Sequence, residues 1–378
     1  SYLIDWVIIF GIAFSGYAIG MTEPFKRPFS LLDLDIAFPY IPESISAVDA
    51  VWIVAIAPTV IIGVVVLIFV PGPAFVRANN KSQIFRLKLW ELERGVAGLA
   101  MSIALTFFIV QGMKNLFGKP RPNLLARCQP DLDNIASHVV GGFGKDISAR
   151  WTLVTDSICT QTDRVILDDG FRSFPSGHSS FSWAGLLYLT LFLCSKFAIA
   201  MPFLQDHSQS SIAGIAATGQ ELDCHALLPL HNDSHHLHNE RTSVEEAHNP
   251  PAASDIVPLT ICTNSLPLRN RAAAPPNHLL VLALVPVAVA VYICSTRYSE
   301  FYHFGFDIIS GSSIGVATSW FSFRWYHLPI RQGAGWAWGA RSRERAFGVG
   351  VGTRTYVGSE GWDPAKRSQK HDEEAGRA

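Results

Sequence analysis

Residues 51–70 and 95–113 are each long enough to cross a bilayer as helix, and neither carries a charged side chain. A hydrocarbon core of about 30 Å takes about 20 apolar residues of helix. Lipid accepts a spanning backbone only as helix or closed barrel, so such runs are read as helix. The stretches 179–195, 279–295 and 308–323 are shorter and are completed by their flanks. Residues 6–22 have the length of a leader peptide. They lack a basic lead-in and a clear cleavage site, and further spans follow, so they read as a span too. Pro58 and Pro286 fall inside runs, which bundled membrane helices tolerate. The expected fold is all-α: a six-span integral membrane helical bundle. Composition agrees, with 49% hydrophobic residues and 16% charged, against about 25% charged in soluble domains.

An even number of spans puts both termini on one face. That face holds the loop 71–94, with Arg77, Lys81, Arg86, Lys88 and Arg94, and the tail, with Arg331, Arg341, Arg343 and Arg345. The positive-inside rule makes it cytoplasmic. The opposite face holds loops 23–50, 114–178 and 296–304, and it is not free of cations: Lys114, Lys119, Arg121, Arg172 and Arg297 lie there. These weaken the orientation unless they have another role. The sequons at Asn80 and Asn232 fall on the cytoplasmic side and are expected to be unglycosylated. A formal net charge of -1 argues against a nucleic-acid partner. Cys128 and Cys159 share the extracytoplasmic loop, where a bridge is permitted but not required.

The chain divides into a first span and loop (1–50), spans two to four (51–200), a polar insertion (201–278), spans five and six (279–326) and a tail (327–378). The insertion is rich in His, with His231, His235, His236 and His238 close together. It reads as a biased, disordered loop, with metal binding as the alternative. The tail also reads as disordered, and its arginines suit anionic headgroups.

Three short patterns sit at extracytoplasmic span ends: Lys114-x6-Arg121-Pro122, then Pro175-Ser176-Gly177-His178, then Arg297-x5-His303-x3-Asp307. The first and third are weak alone; their order, together with the second and their shared membrane face, is the stronger signal. A phosphate monoester needs cations: Lys114 offers a mobile point charge, and Arg121 and Arg297 offer planar forks. Ser176 and Gly177 open a helix whose first amides are unpaired, an anion site that Gly177 leaves unobstructed. His303 and Asp307 are four apart and would share a helix face, where the carboxylate would fix the imidazole tautomer. That arrangement makes His303 a nucleophile and leaves His178 as the acid and base. The bland readings are a wetted interfacial histidine and an aspartate that merely caps its helix.

On these motifs the chain resembles the type 2 phosphatidic acid phosphatase superfamily, the lipid phosphate phosphatases, over residues 50 to 326. "RPNLLARCQPD" and "DGFRSFPSGHSS" resemble its fungal diacylglycerol pyrophosphate and phosphatidate phosphatases. The resemblance implies that Lys114, Arg121, Ser176, Gly177 and Arg297 bind phosphate. It implies that His178 is the acid, His303 the nucleophile and Asp307 its partner, with no divalent metal or other cofactor. The pocket is similar to that of vanadium haloperoxidases. Thr296 stands where the family usually has Ser, and Tyr302 where relatives often have a second His. The expected activity is hydrolysis of phosphatidate, diacylglycerol pyrophosphate or lysophosphatidate through a phosphohistidine. The expected setting is an endomembrane or vacuolar membrane, with the site on the lumenal face. A sphingoid-base, isoprenoid or dolichyl phosphate substrate is the near alternative. A haloperoxidase, and a silent membrane scaffold or transporter, are the distant ones.

Overall fold

The apolar runs do fold as helices. A computed structural model of the chain describes residues 2–71, 76–77, 80–148, 151–197, 199 and 276–330. Helix α1 is Tyr2–Gly20, α2 is Ala47–Phe69 with a π-helical turn at Trp52–Ile56, and α3 is Lys81–Phe117. Two short helices follow, α4 at Leu124–Cys128 and α5 at Arg164–Gly170. Between them lies an antiparallel hairpin of β1, Val139–Gly141, and β2, Leu153–Val154. Helix α6 joins Gly177–Ser182, a π-helical turn Trp183–Leu187 and Tyr188–Lys196. Helix α7 is Asn277–Ser299 and α8 is Gly305–Tyr326. Residues 201–275, with the insertion's clustered histidines, and the tail from 331 onward lie outside the described residues.

Two expectations are met in part. The protein is mostly helical rather than all-α, because the segment between α3 and α6 builds a small structure of its own. There Leu124, Val154, Ile158, Leu167 and Phe171 are buried together with Phe29. Phe29 and Val154 exchange backbone hydrogen bonds of 3.1 and 2.9 Å, and Cys128 and Cys159 are bridged. Second, among the described residues four helices are long and apolar enough to cross a membrane by length and composition: α1, α2, α3 and α7. The other two expected spans are helical, as α6 and α8, but are less apolar. The reason is visible in their packing: Ser179, Ser180 and Ser182 of α6 and Thr318, Ser319 and Ser322 of α8 are buried.

Polarity in the bundle is arranged for a lipid solvent. Leu3, Val7 and Phe14 of α1 and Trp320 and Trp325 of α8 are exposed. Several buried hydroxyl residues join helices. Thr106 of α3 and Thr318 of α8 are 2.7 Å apart. The Ser102 hydroxyl donates to the Ala184 carbonyl and Tyr188 to that of Gly95, each at 2.9 Å. In lipid such bonds hold helices together where apolar burial gives no driving force.

Helix α3 is the central post: α1, α2 and α8 pack on it, and α8 also packs along α6. Gly311 of α8 lets the two chains meet, since a Cβ there would lie 2.6 Å from the Ser176 carbonyl oxygen. The result brings one end of each of α3, α6, α7 and α8 together. All three motifs are at that end.

Candidate active site

Lys114 sits in the last turn of α3. It faces the opening of α6: a Cβ on Gly177 would stand 3.3 Å from its Nζ, so any larger residue there would crowd the ammonium. Lys114 has no ion pair among the described residues, unlike the arginines around it. Ser176 is the N-cap of α6, its hydroxyl accepting from the Ser179 amide and hydroxyl at 3.4 and 3.0 Å. The Ser176 amide donates to the Asp307 carbonyl at 3.0 Å, which ties the second motif to the third. His178 follows in the first turn, and its Nε2 has no hydrogen-bond partner among the described residues.

His303 is almost fully buried, in the turn before α8. Its Nδ1 lies 2.7 Å from the Ser173 carbonyl oxygen. A carbonyl only accepts, so Nδ1 carries the proton and Nε2 keeps its lone pair. Burial, and then the charges of Arg121 and Lys114, hold this imidazole well below the usual histidine range, so it is neutral. A neutral imidazole with one free nitrogen beside cations can attack an electrophile that carries negative charge.

The expected face-sharing of His303 and Asp307 does not occur, because α8 starts at Gly305, after the histidine. Asp307 is in the first turn of α8 and fully buried. One oxygen takes Lys119 Nζ at 2.7 Å. The other takes the Ser173 hydroxyl at 2.6 Å and the Phe304 amide at 3.2 Å. It is both a helix cap and a clamp on Ser173, the residue that orients the imidazole. Its link to His303 therefore runs through Ser173.

Arg121 and Arg297 are buried and already paired. Arg121 donates to the Asp169 carboxylate and carbonyl, each at 2.7 Å, and to the Tyr302 carbonyl at 3.4 Å. Arg297 donates to Glu300 at 2.7 Å, and its Nη1 is 3.5 Å from Glu43. Arg127 takes the second oxygen of Asp169 at 3.0 Å. The guanidiniums of Arg121, Arg127 and Arg297 lie 5.4, 5.2 and 5.4 Å from the centre of the Tyr302 ring. One aromatic ring thus lies among three like charges, each favoured by the ring quadrupole. Desolvation alone would raise the Asp169 carboxyl, but Arg121 and Arg127, then Lys114 and Arg172, outweigh it and hold it below the usual carboxylate range.

The structure brings Lys114, Arg121, Ser176, Gly177, His178, Arg297, His303 and Asp307 to one end of the bundle. Sequence reasoning missed Ser173, Lys119, Arg127 and Asp169 as participants. Lys119 lies within the first motif, and Ser173 two residues ahead of the second. Arg127 and Asp169 gave no local signal, since their meeting depends on the packing of α4 and α5. Among the described residues no group of three or more His, Cys, Asp or Glu side chains could hold a metal.

A helical bundle with apolar outer faces and a cationic cup around a neutral histidine is the architecture of a membrane-embedded anion-binding site. Residues 95–220 and 248–331 match the PAP2 superfamily model, and the chain belongs to that superfamily. It is 33% identical to the probable diacylglycerol pyrophosphate phosphatase 1 of Schizosaccharomyces pombe, over 51% of this chain and 59% of that one. It is 30% identical to diacylglycerol pyrophosphate phosphatase 1 of Saccharomyces cerevisiae, over 50% of this chain and 56% of the relative. Identity to the probable lipid phosphate phosphatase 4 of Arabidopsis thaliana is 27%, over 53% and 54%. The chain thus spans little more than half the length of these curated relatives. No solved structure gives a significant match.

Proposed function

We propose that the protein is a lipid phosphate phosphatase that works through a phosphohistidine. The observation that carries this reading is the Ser173-held tautomer of His303, with Nε2 free beside Lys114, Arg121 and Arg297. A phosphate monoester enters with nearly two negative charges. Lys114, Arg121 and Arg297 take its oxygens together with the amides that open α6. His303 Nε2 attacks phosphorus and the P–O bond to the lipid breaks. His178 Nε2 gives its proton to the departing alkoxide. His178 then takes a proton from water, whose oxygen attacks phosphorus as the P–N bond breaks. Inorganic phosphate leaves and His303 is restored. Asp307, through Ser173, supports the positive charge that the ring carries while it holds phosphate.

Phosphatidate and diacylglycerol pyrophosphate are the proposed substrates, with lysophosphatidate accepted. Both yeast relatives are diacylglycerol pyrophosphate phosphatases by name, which favours the pyrophosphate. Six spans, cytoplasmic termini and a lumenal site belong to the same reading. Helix α8, at 22 residues, is about 33 Å long, enough for the bilayer core, and its Thr318, Ser319 and Ser322 are buried in the bundle. Phosphatidate in detergent micelles with chelator present should yield phosphate with the wild type and none with His303→Ala. Release that requires magnesium, or that survives this substitution, contradicts the mechanism.

A further inference from the structure

The cationic cup opens into a cavity that the phosphate chemistry does not use. It has a volume of about 620 Å³, within the roughly 300–1,000 Å³ of small-ligand sites. Helices α1 and α2 both pack on α3 but make little contact with each other, and the cavity is the gap between them, floored by α3. Its lining on α3 runs from Lys114 to Val96, about 27 Å at 1.5 Å per residue.

Polarity changes along this length. Lys114, His178 and Gln111 lie at one end. Away from them the walls are alanines and larger apolar side chains, and Thr59 spends its hydroxyl on the Ala55 carbonyl at 2.7 Å. Phe10 of α1 and Val51 of α2 line the cavity and are 65% and 55% exposed on the outer surface, so the gap opens sideways to lipid. A cavity with a phosphate-binding head, a dry body and a lateral mouth has the form of a single-tailed lipid.

We infer that this cavity binds one acyl chain of the phosphorylated lipid, so that α1 and α2 select the substrate by its tail. The inference rests on the phosphatase reading for the identity of the head. About 27 Å exceeds the roughly 15 Å that half a bilayer core supplies. The tail therefore lies among protein side chains past mid-membrane, and chain length is read there. The walls on α1 and α2 precede residue 95 and fall outside the stretch matched to the superfamily, so tail preference varies independently of the catalytic motifs.

Ala100 on the α3 floor and Ala13 on the α1 wall both line this space. Ala100→Phe and Ala13→Phe are tested on dioleoyl and dibutyryl phosphatidate in the same micelles. The ratio of kcat/KM for the long lipid to that for the short one falls about 10-fold or more in each variant. An unchanged ratio, whether both activities persist or both fall together, overturns the inference. A second readout needs no turnover: phosphatidate with a diazirine at the methyl end of a palmitoyl chain is photolysed on the wild type and labelled peptides are mapped. Labelling centred on residues 9–13 and 96–104 supports tail binding even if no phosphate is released, an outcome that sinks only the phosphatase reading. Labelling centred on the outer faces of α7 and α8 overturns it.

Discussion

The Nδ1 of His303 points at the main-chain carbonyl of Ser173, 2.7 Å away. A backbone group fixes the ring, and a side-chain clamp fixes that backbone, because the Ser173 hydroxyl donates to Asp307 at 2.6 Å. Ser173→Ala keeps the carbonyl and loses the clamp. A hydrogen bond to a charged group is worth about 1.5–3 kcal/mol, so kcat falls about 10-fold or more while KM changes little. Steady-state kinetics of Ser173→Ala with wild-type kcat would contradict the indirect role of Asp307.

Asp307→Asn removes more. It leaves Lys119 without its ion pair and weakens both the Ser173 clamp and the cap of α8. Because the Lys119 side chain left behind is 32% exposed, solvent screening holds the cost of the lost ion pair to about 1 kcal/mol. The variant is expected to lose both kcat and thermal stability, and Lys119→Met in the same background should restore part of the stability but not kcat. The two measurements separate the structural from the catalytic share.

Tyr302 is expected to act through its ring. Tyr302→Phe loses the hydrogen bond to the Ile41 carbonyl, worth about 1 kcal/mol, and keeps the aromatic ring among three guanidiniums. Tyr302→Leu removes that ring, and with cation–π contacts of about 0.5–1 kcal/mol each it raises KM about tenfold. A KM ordering in which Phe and Leu behave alike would assign the residue a packing role only.

Asp169 gives the site an acid limit. Its folded carboxyl titrates below the unfolded one, so its stabilisation is fully present above about pH 4 and is lost as pH falls through the lower folded value. Because its side chain is 37% exposed, solvent screening leaves about 1 kcal/mol. The stability difference between wild type and Asp169→Asn, followed by thermal unfolding, should be flat from neutral pH to about 4 and then shrink. A difference that grows on acidification would reverse the sign.

The Cys128–Cys159 bridge closes a loop of 31 residues and joins the ends of the segment that lies between Arg127 and Asp169. A loop of that length is worth about 3–4 kcal/mol in the chain-entropy account. Cys159→Ser should lower the melting temperature and raise KM more than it lowers kcat, since the arginine cluster loosens while His303 stays held by Ser173.

Helices α1, α2, α3 and α7 were legible because long uncharged runs have one solution in lipid. Helices α6 and α8 were legible as helices but less as spans, since their serines and threonines lower the apolarity although most of them are at least half-buried in the bundle. The motif residues were legible because their chemistry is tied to spacing. The same spacing misled for His303 and Asp307: a separation of four implies one helix face only if the helix covers both, and α8 begins between them. Ser173, Arg127 and Asp169 were not legible, since each acquires its role from contacts made across the fold. The bridge was permitted by its compartment, and only the packing of α4 against the 130–160 segment decides it.

The central claim is a covalent phosphate on His303. Wild-type protein mixed with phosphatidate labelled on phosphorus and quenched with alkali within one turnover should carry label that acid removes. His303→Ala should carry none, and His178→Ala should hold its label longer because its water is not activated. An unlabelled wild type that still turns over, or label retained by His303→Ala, would contradict the account.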